Sequence, residues 1–123
     1  MKDGYKITEA EREIMEVLWE ASEFVLTRDL LDKMNAEKRN WKRQTLNTLL
    51  FRLEEKGIVE RKRAYVKAAL SREELRQKQT QEILNDFYDG NLSNFCVALI
   101  GNARIKEEEV DRLNALIDEL QEQ

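Results

Sequence analysis

Residues 41–70, WKRQTLNTLLFRLEEKGIVERKRAYVKAAL, decide how this chain is read. Leu46, Leu49, Leu50 and Leu53 recur at the i, i+3, i+4, i+7 spacing of one buried helix face. Turning 100° per residue places Gln44, Thr48, Phe51 and Glu55 opposite them, with Thr45, Asn47 and Arg52 on the flanks. Lys42 and Arg43 fall in the first turn, and Gly57 stands where a left-handed cap would end the helix. IVERKR and AYVKAAL follow, both short and β-compatible, and predict a hairpin. Two antiparallel strands need at least a two-residue loop, preferably Asn-Gly or Asp-Gly. RKRAY holds neither, so either Arg63 and its neighbours make a very tight tip or tip residues are missing between Arg63 and Tyr65; the second reading is preferred.

Upstream, TEAE opens a first helix with a capping box, Thr8 capping and Glu11 returning the bond. Ile14, Val17 and Leu18 form its apolar face, with Trp19 at the edge. FVLT predicts one short strand, and Thr27 is a candidate cap for a second helix through Leu30, Leu31 and Met34. Helix, strand, helix, helix and two strands is the order of a winged helix, whose third helix enters the DNA major groove while the wing lies along the backbone. The expected fold class is therefore mainly α with a small β-wing, a winged-helix DNA-binding domain over residues 1–70.

Residues 71–123 differ in kind and predict a three-helix dimerisation arm. SREE at 71–74 is a second capping box, and the helix it opens carries Leu75, Ile83, Leu84, Phe87 and Tyr88 before Gly90. LSNFCVALIG is apolar nearly all round, which requires burial on most sides. The last helix has Val110, Leu113, Ile117 and Leu120 in a coiled-coil-like seam. A small domain cannot bury all of this alone, so a second protomer is the expected cover. The interface is read as Phe87, Leu92, Phe95, Cys96, Leu99, Ile100, Val110, Leu113, Ile117 and Leu120.

Composition narrows the chemistry. The 123 residues contain no histidine, which removes His-based acid–base catalysis and the usual His ligation of zinc, copper or iron. One cysteine allows no internal disulfide, and Cys96 in apolar surroundings reads as an inert core thiol rather than a reactive one. Four glycines, no proline and no phosphate-loop motif argue further against an enzyme; no metal or cofactor is expected. No apolar run approaches a membrane span or a signal peptide, so the expected location is cytoplasmic.

The net charge of −4 hides a patch. Residues 41–67 carry 8 basic and 3 acidic side chains, while the segments before and after are acidic. Positive charge confined to one helix and its wing points to nucleic acid. Lys42, Arg43, Gln44, Thr45, Asn47, Thr48 and Arg52 are read as facing the groove or its phosphates, and Arg61, Lys62 and Arg63 as wing contacts to the backbone. Phe51 is expected against the first or second helix, and Glu55 beyond the groove. The rival reading is a winged-helix dimer that serves as a protein-interaction module without DNA.

ITEAEREIMEVLWE, WKRQTLNTLLFRLEEKGIVERKR, AYVKAALSREE and FYDGNLSNFCVALI together resemble the penicillinase-repressor family (BlaI/MecI/CopY type) over residues 7 to about 120. The pattern from Thr45 to Gly57 is the most specific part. The resemblance implies a winged-helix homodimer that binds a palindromic operator and blocks transcription, with release in some members by proteolysis and in others by copper. This chain lacks the paired cysteines of the copper branch. The bond equivalent to the cleaved Asn-Phe bond is Ala98-Leu99, and Lys42 and Arg43 precede Gln44 where relatives place Ser, Thr or Pro before a Lys. The wing is also shorter than in relatives.

Overall fold

The computed structural model describes residues 4–37, 39–101 and 106–121. The element order is α1 (Glu9–Ala21), β1 (Val25–Leu26), α2 (Thr27–Glu37), α3 (Arg43–Glu55), β2 (Val59–Lys62), β3 (Tyr65–Ala68), α4 (Arg72–Tyr88), α5 (Leu92–Gly101) and α6 (Glu107–Gln121). This is the winged helix with a helical arm that the pattern predicts. No helix among the described residues is long and apolar enough to cross a membrane. The chain divides into two compact units, Met1–Ile83 and Leu84–Gln123, the division falling within α4.

Ile14, Met15 and Leu18 of α1, Leu30 and Met34 of α2, and Leu46, Leu50 and Leu53 of α3 meet Ile58, Val59, Val66 and Leu75 in one core. Leu49 is only half-buried at its edge. Fully burying an aliphatic side chain contributes about 1.5–3 kcal/mol, so this cluster is the main source of the unit's stability. Leu75 belongs to α4, whose first turns are held in the same unit. The guanidinium of Arg72 donates to both oxygens of Glu16 at 2.6 and 2.7 Å and lies over the Trp19 ring. The Trp19 indole N–H donates to the Leu70 carbonyl at 2.8 Å. Gln79 donates to the Tyr5 carbonyl, and the Tyr5 N–H donates to Glu82.

Both predicted capping boxes form. Thr8 accepts from the Glu11 N–H while Glu11 accepts from the Thr8 N–H, and Ser71 and Glu74 repeat the exchange. Gly57 adopts φ 76°, and the Ile58 N–H reaches the Leu53 carbonyl while the Gly57 N–H reaches that of Glu54. This paired pattern satisfies carbonyls that the end of a helix otherwise leaves open, and glycine adopts its left-handed position at the least cost. The buried pair Leu53 and Ile58 seals it.

The sheet is antiparallel in the order β1-β3-β2. β2 and β3 pair from Val59↔Ala68 to Lys62↔Tyr65, so the hairpin closes on two residues, Arg63 and Ala64. The preferred expectation of missing tip residues is corrected here. Arg63 takes φ 55°, the left-handed conformation that the tight loop requires and that glycine or asparagine would adopt more cheaply. Thr27 is corrected as well, since it is the first residue of α2 and not its cap. Its N–H and hydroxyl both donate to the Ala64 carbonyl, at 2.8 and 2.9 Å, fastening the wing tip to the start of α2.

In the second unit, Tyr88 and Phe95 meet edge to face, with ring centroids 5.4 Å apart. Phe95 and Cys96 are partly buried. Phe87, Leu92, Val97, Leu99, Val110, Leu113, Leu116, Ile117 and Leu120 remain exposed in the single chain, Phe87 at 76%. The side chain of Ile100 lies outside the described residues. Exposed apolar surface of this extent, from the end of α4 through α5 and α6, is far more than scattered surface hydrophobics require.

Candidate nucleic-acid interface

The linker into α3 is fixed by side chains standing in for backbone. Asn35 accepts from the Trp41 N–H at 2.8 Å and donates to the Trp41 carbonyl at 2.9 Å. Arg39 donates two hydrogen bonds to Glu13 and stacks over the Trp41 ring at 5.3 Å. Those bonds raise the Arg39 guanidinium above its ordinary pKa and keep it charged. The start of α3 is thereby held against α1 and α2. Its cap residue, Lys42, is extended and makes no side-chain capping bond. First-turn N–H groups without a side-chain partner, beside Lys42 and Arg43, attract anions.

Around this end lies a groove of about 540 Å³, formed by the first turn of α2, α3 and the wing. Leu26, Leu31 and Leu46 help to line it, and Arg28, Arg43, Arg61 and Arg63 contribute four cations, with no acidic side chain among its described lining residues. Arg61 and Asn47 connect the wing to α3, the guanidinium donating to the amide oxygen at 3.2 Å. A shallower depression on the outer side of α3 is lined by Arg43, Gln44, Asn47, Thr48 and Phe51. The Thr48 hydroxyl donates to the Gln44 carbonyl, leaving its lone pairs outward.

The expected site residues are therefore not one cluster. Arg43, Gln44, Asn47 and Thr48 come together, and Arg61 and Arg63 join Arg43 from the wing. Lys42 and Thr45 are exposed at the start of α3. Arg52 points along the other flank, lining a separate hollow with Tyr5, Lys6, Glu11 and Lys56. Lys62 lies with Lys67 over the ring of Phe24, at 5.6 and 4.8 Å, because strand alternation sends it to the face opposite Arg61. Phe51 is 57% exposed and outside the core, not packed against α1 or α2 as expected. Arg28 was missed: it lies in an acidic segment, and only the fold of α2 against the wing brings it to the groove. Its place in the first turn after β1 was the available signal. No group of acidic, cysteine or histidine side chains among the described residues is arranged to hold a metal.

A winged helix whose third helix and wing converge on an arginine-lined groove defines a class built to meet an anionic polymer. Comparison with known proteins narrows it, since residues 7–119 match the penicillinase repressor family, and the chain belongs to that family of transcriptional repressors. The penicillinase repressor of Bacillus licheniformis is 26% identical, over 97% of this chain and 94% of that protein. The methicillin resistance regulatory protein MecI of Staphylococcus aureus (strain N315) is 20% identical over 93% and 94%. An uncharacterized 16.5 kDa protein of Latilactobacillus sakei is 28% identical over 91% of this chain and 78% of its own length.

Proposed function

We propose that this protein represses transcription as a homodimer on a palindromic operator, α3 entering the major groove of each half-site and the wing lying on the backbone. The observation that carries this is the groove of Arg28, Arg43, Arg61 and Arg63 in a chain whose net charge is −4. Gln44, Asn47 and Thr48 face bases in this reading, and Lys42, Thr45 and Arg52 reach flanking phosphates. Arg61 and Arg63 touch the backbone directly, with Lys62 adding only field from the far side of the wing. The exposed apolar residues of α5 and α6 cover those of a second copy. Two-fold symmetry then sets the half-sites about one helical turn, or a multiple, apart.

Selection from random duplex DNA with the full chain tests the proposal. The expected result is an inverted repeat bound with steep salt dependence. A dimer that enriches no sequence, and binds duplex weakly at physiological salt, would instead identify a protein-interaction module. Charge reversal at Arg43 together with Arg52 should abolish binding while the dimer stays folded, and unchanged affinity would remove α3 from the interface.

A further inference from the structure

Phe51 is a costly residue for the outer side of α3. Its side chain is 57% exposed, and no ring or cation contact engages it among the described residues. An isolated exposed hydrophobic needs no explanation, but this one closes the depression that Arg43, Gln44, Asn47 and Thr48 line. Thr48 and Gln44 share its side of the helix one and two turns towards the N-terminus. Glu55, one turn beyond, carries a negative charge that phosphates repel, so Phe51 is the last side chain on this face suited to DNA. Arg43, the charged member of that lining, is shared with the groove of Arg28, Arg61 and Arg63, and this disfavours a cationic occupant and favours a polyanion.

A phenyl ring offers no hydrogen-bond donor or acceptor. In the major groove, what it can recognise is the 5-methyl group of thymine, the apolar feature displayed on a base edge there. We propose that Phe51 is a specificity-determining residue that packs on a thymine methyl in each operator half-site. Arg43, Gln44 and Asn47 supply the polar contacts beside it, and Phe51 sets the distance along the half-site at which thymine is required. This rests on the operator-binding reading and adds to it a defined base and a defined atom.

The test replaces thymine by deoxyuridine, one position at a time, in the duplex recovered by selection. That change deletes the methyl and leaves the pairing intact. Burial of one such group supports about a fourfold penalty per half-site and about 15-fold when both are replaced. Phe51→Ala should bind the parent duplex more weakly and no longer distinguish thymine from deoxyuridine at the sensitive position. Phe51→Leu, which keeps an apolar side chain, should retain part of the discrimination, and thermal melts report whether each variant is folded. A duplex in which no thymine is sensitive overturns the proposal, as does a penalty that persists in Phe51→Ala. Failure to recover any duplex overturns the operator reading itself, so the two failures are separable.

Discussion

Arg63→Gly is expected to move stability and DNA affinity in opposite directions. Arg63 sits at the first position of the two-residue wing tip with φ 55°. An L-residue costs about 1–2 kcal/mol in that conformation, which glycine escapes. Glycine in turn costs about 0.5–1 kcal/mol through the greater freedom of its unfolded chain. Taking the middle of each range, the substitution stabilises by about 0.75 kcal/mol, which raises the melting midpoint of a unit this size by about 3–6 °C. The same change removes one cation from the groove of each protomer. Loss of two phosphate contacts per dimer flattens the log–log dependence of affinity on salt by about 1.8. Melting by circular dichroism at fixed protomer concentration reads the first effect, and fluorescence anisotropy on the selected duplex across a salt series reads the second. Arg63→Ala separates them, because it loses the charge and keeps a side chain in the left-handed region. A lower midpoint for Arg63→Gly would refute the strain at the tip, and an unchanged salt slope would remove Arg63 from the backbone contacts.

Leu50 is fully buried in the core, and Leu50→Ala should cost about 2–5 kcal/mol in denaturant titration. Thr8→Ala breaks the first capping box and should cost about 1 kcal/mol in the same titration. Glu16 and Glu74 are both held below the ordinary glutamate pKa, Glu16 by hydrogen bonds from Arg72 and Glu74 by the Ser71 N–H. Their contribution is therefore present above the ordinary value and is lost as pH falls through the depressed ones, so a melt series below pH 4.5 should decline less in Glu16→Gln than in the unsubstituted protein. Leu113→Asp with Leu120→Asp places charge in the exposed seam of α6; sedimentation should show monomer where the parent shows dimer, and an unshifted dimer would move the interface elsewhere.

How far the sequence carries the reader differs by residue. The capping boxes at Thr8 and Ser71, the inner leucines of α3 and the turn at Gly57 depend on spacing within one turn or two, so they are legible without a fold. Phe51 defeats that logic: periodicity shows that it faces outward, yet an apolar residue invites the assumption of a partner. The wing tip fails for a related reason. Turn preferences describe the cost of a conformation, and here two hydrogen bonds from Thr27 to the Ala64 carbonyl hold a tip that local preference disfavours.

The sequence by itself determined the element order, the inner face of α3, the positive charge of helix and wing, and the apolar character of α5 and α6, because each is a property of neighbouring residues along the chain. Only the tertiary structure decided which cations share a groove. Pairing β1 with β3 brings the first turn of α2 to the wing tip and so adds Arg28. Strand alternation splits Arg61 from Lys62, and helical rotation separates Arg52 from Arg43. Charge can be counted along a chain, but the field that a ligand meets depends on distance in space.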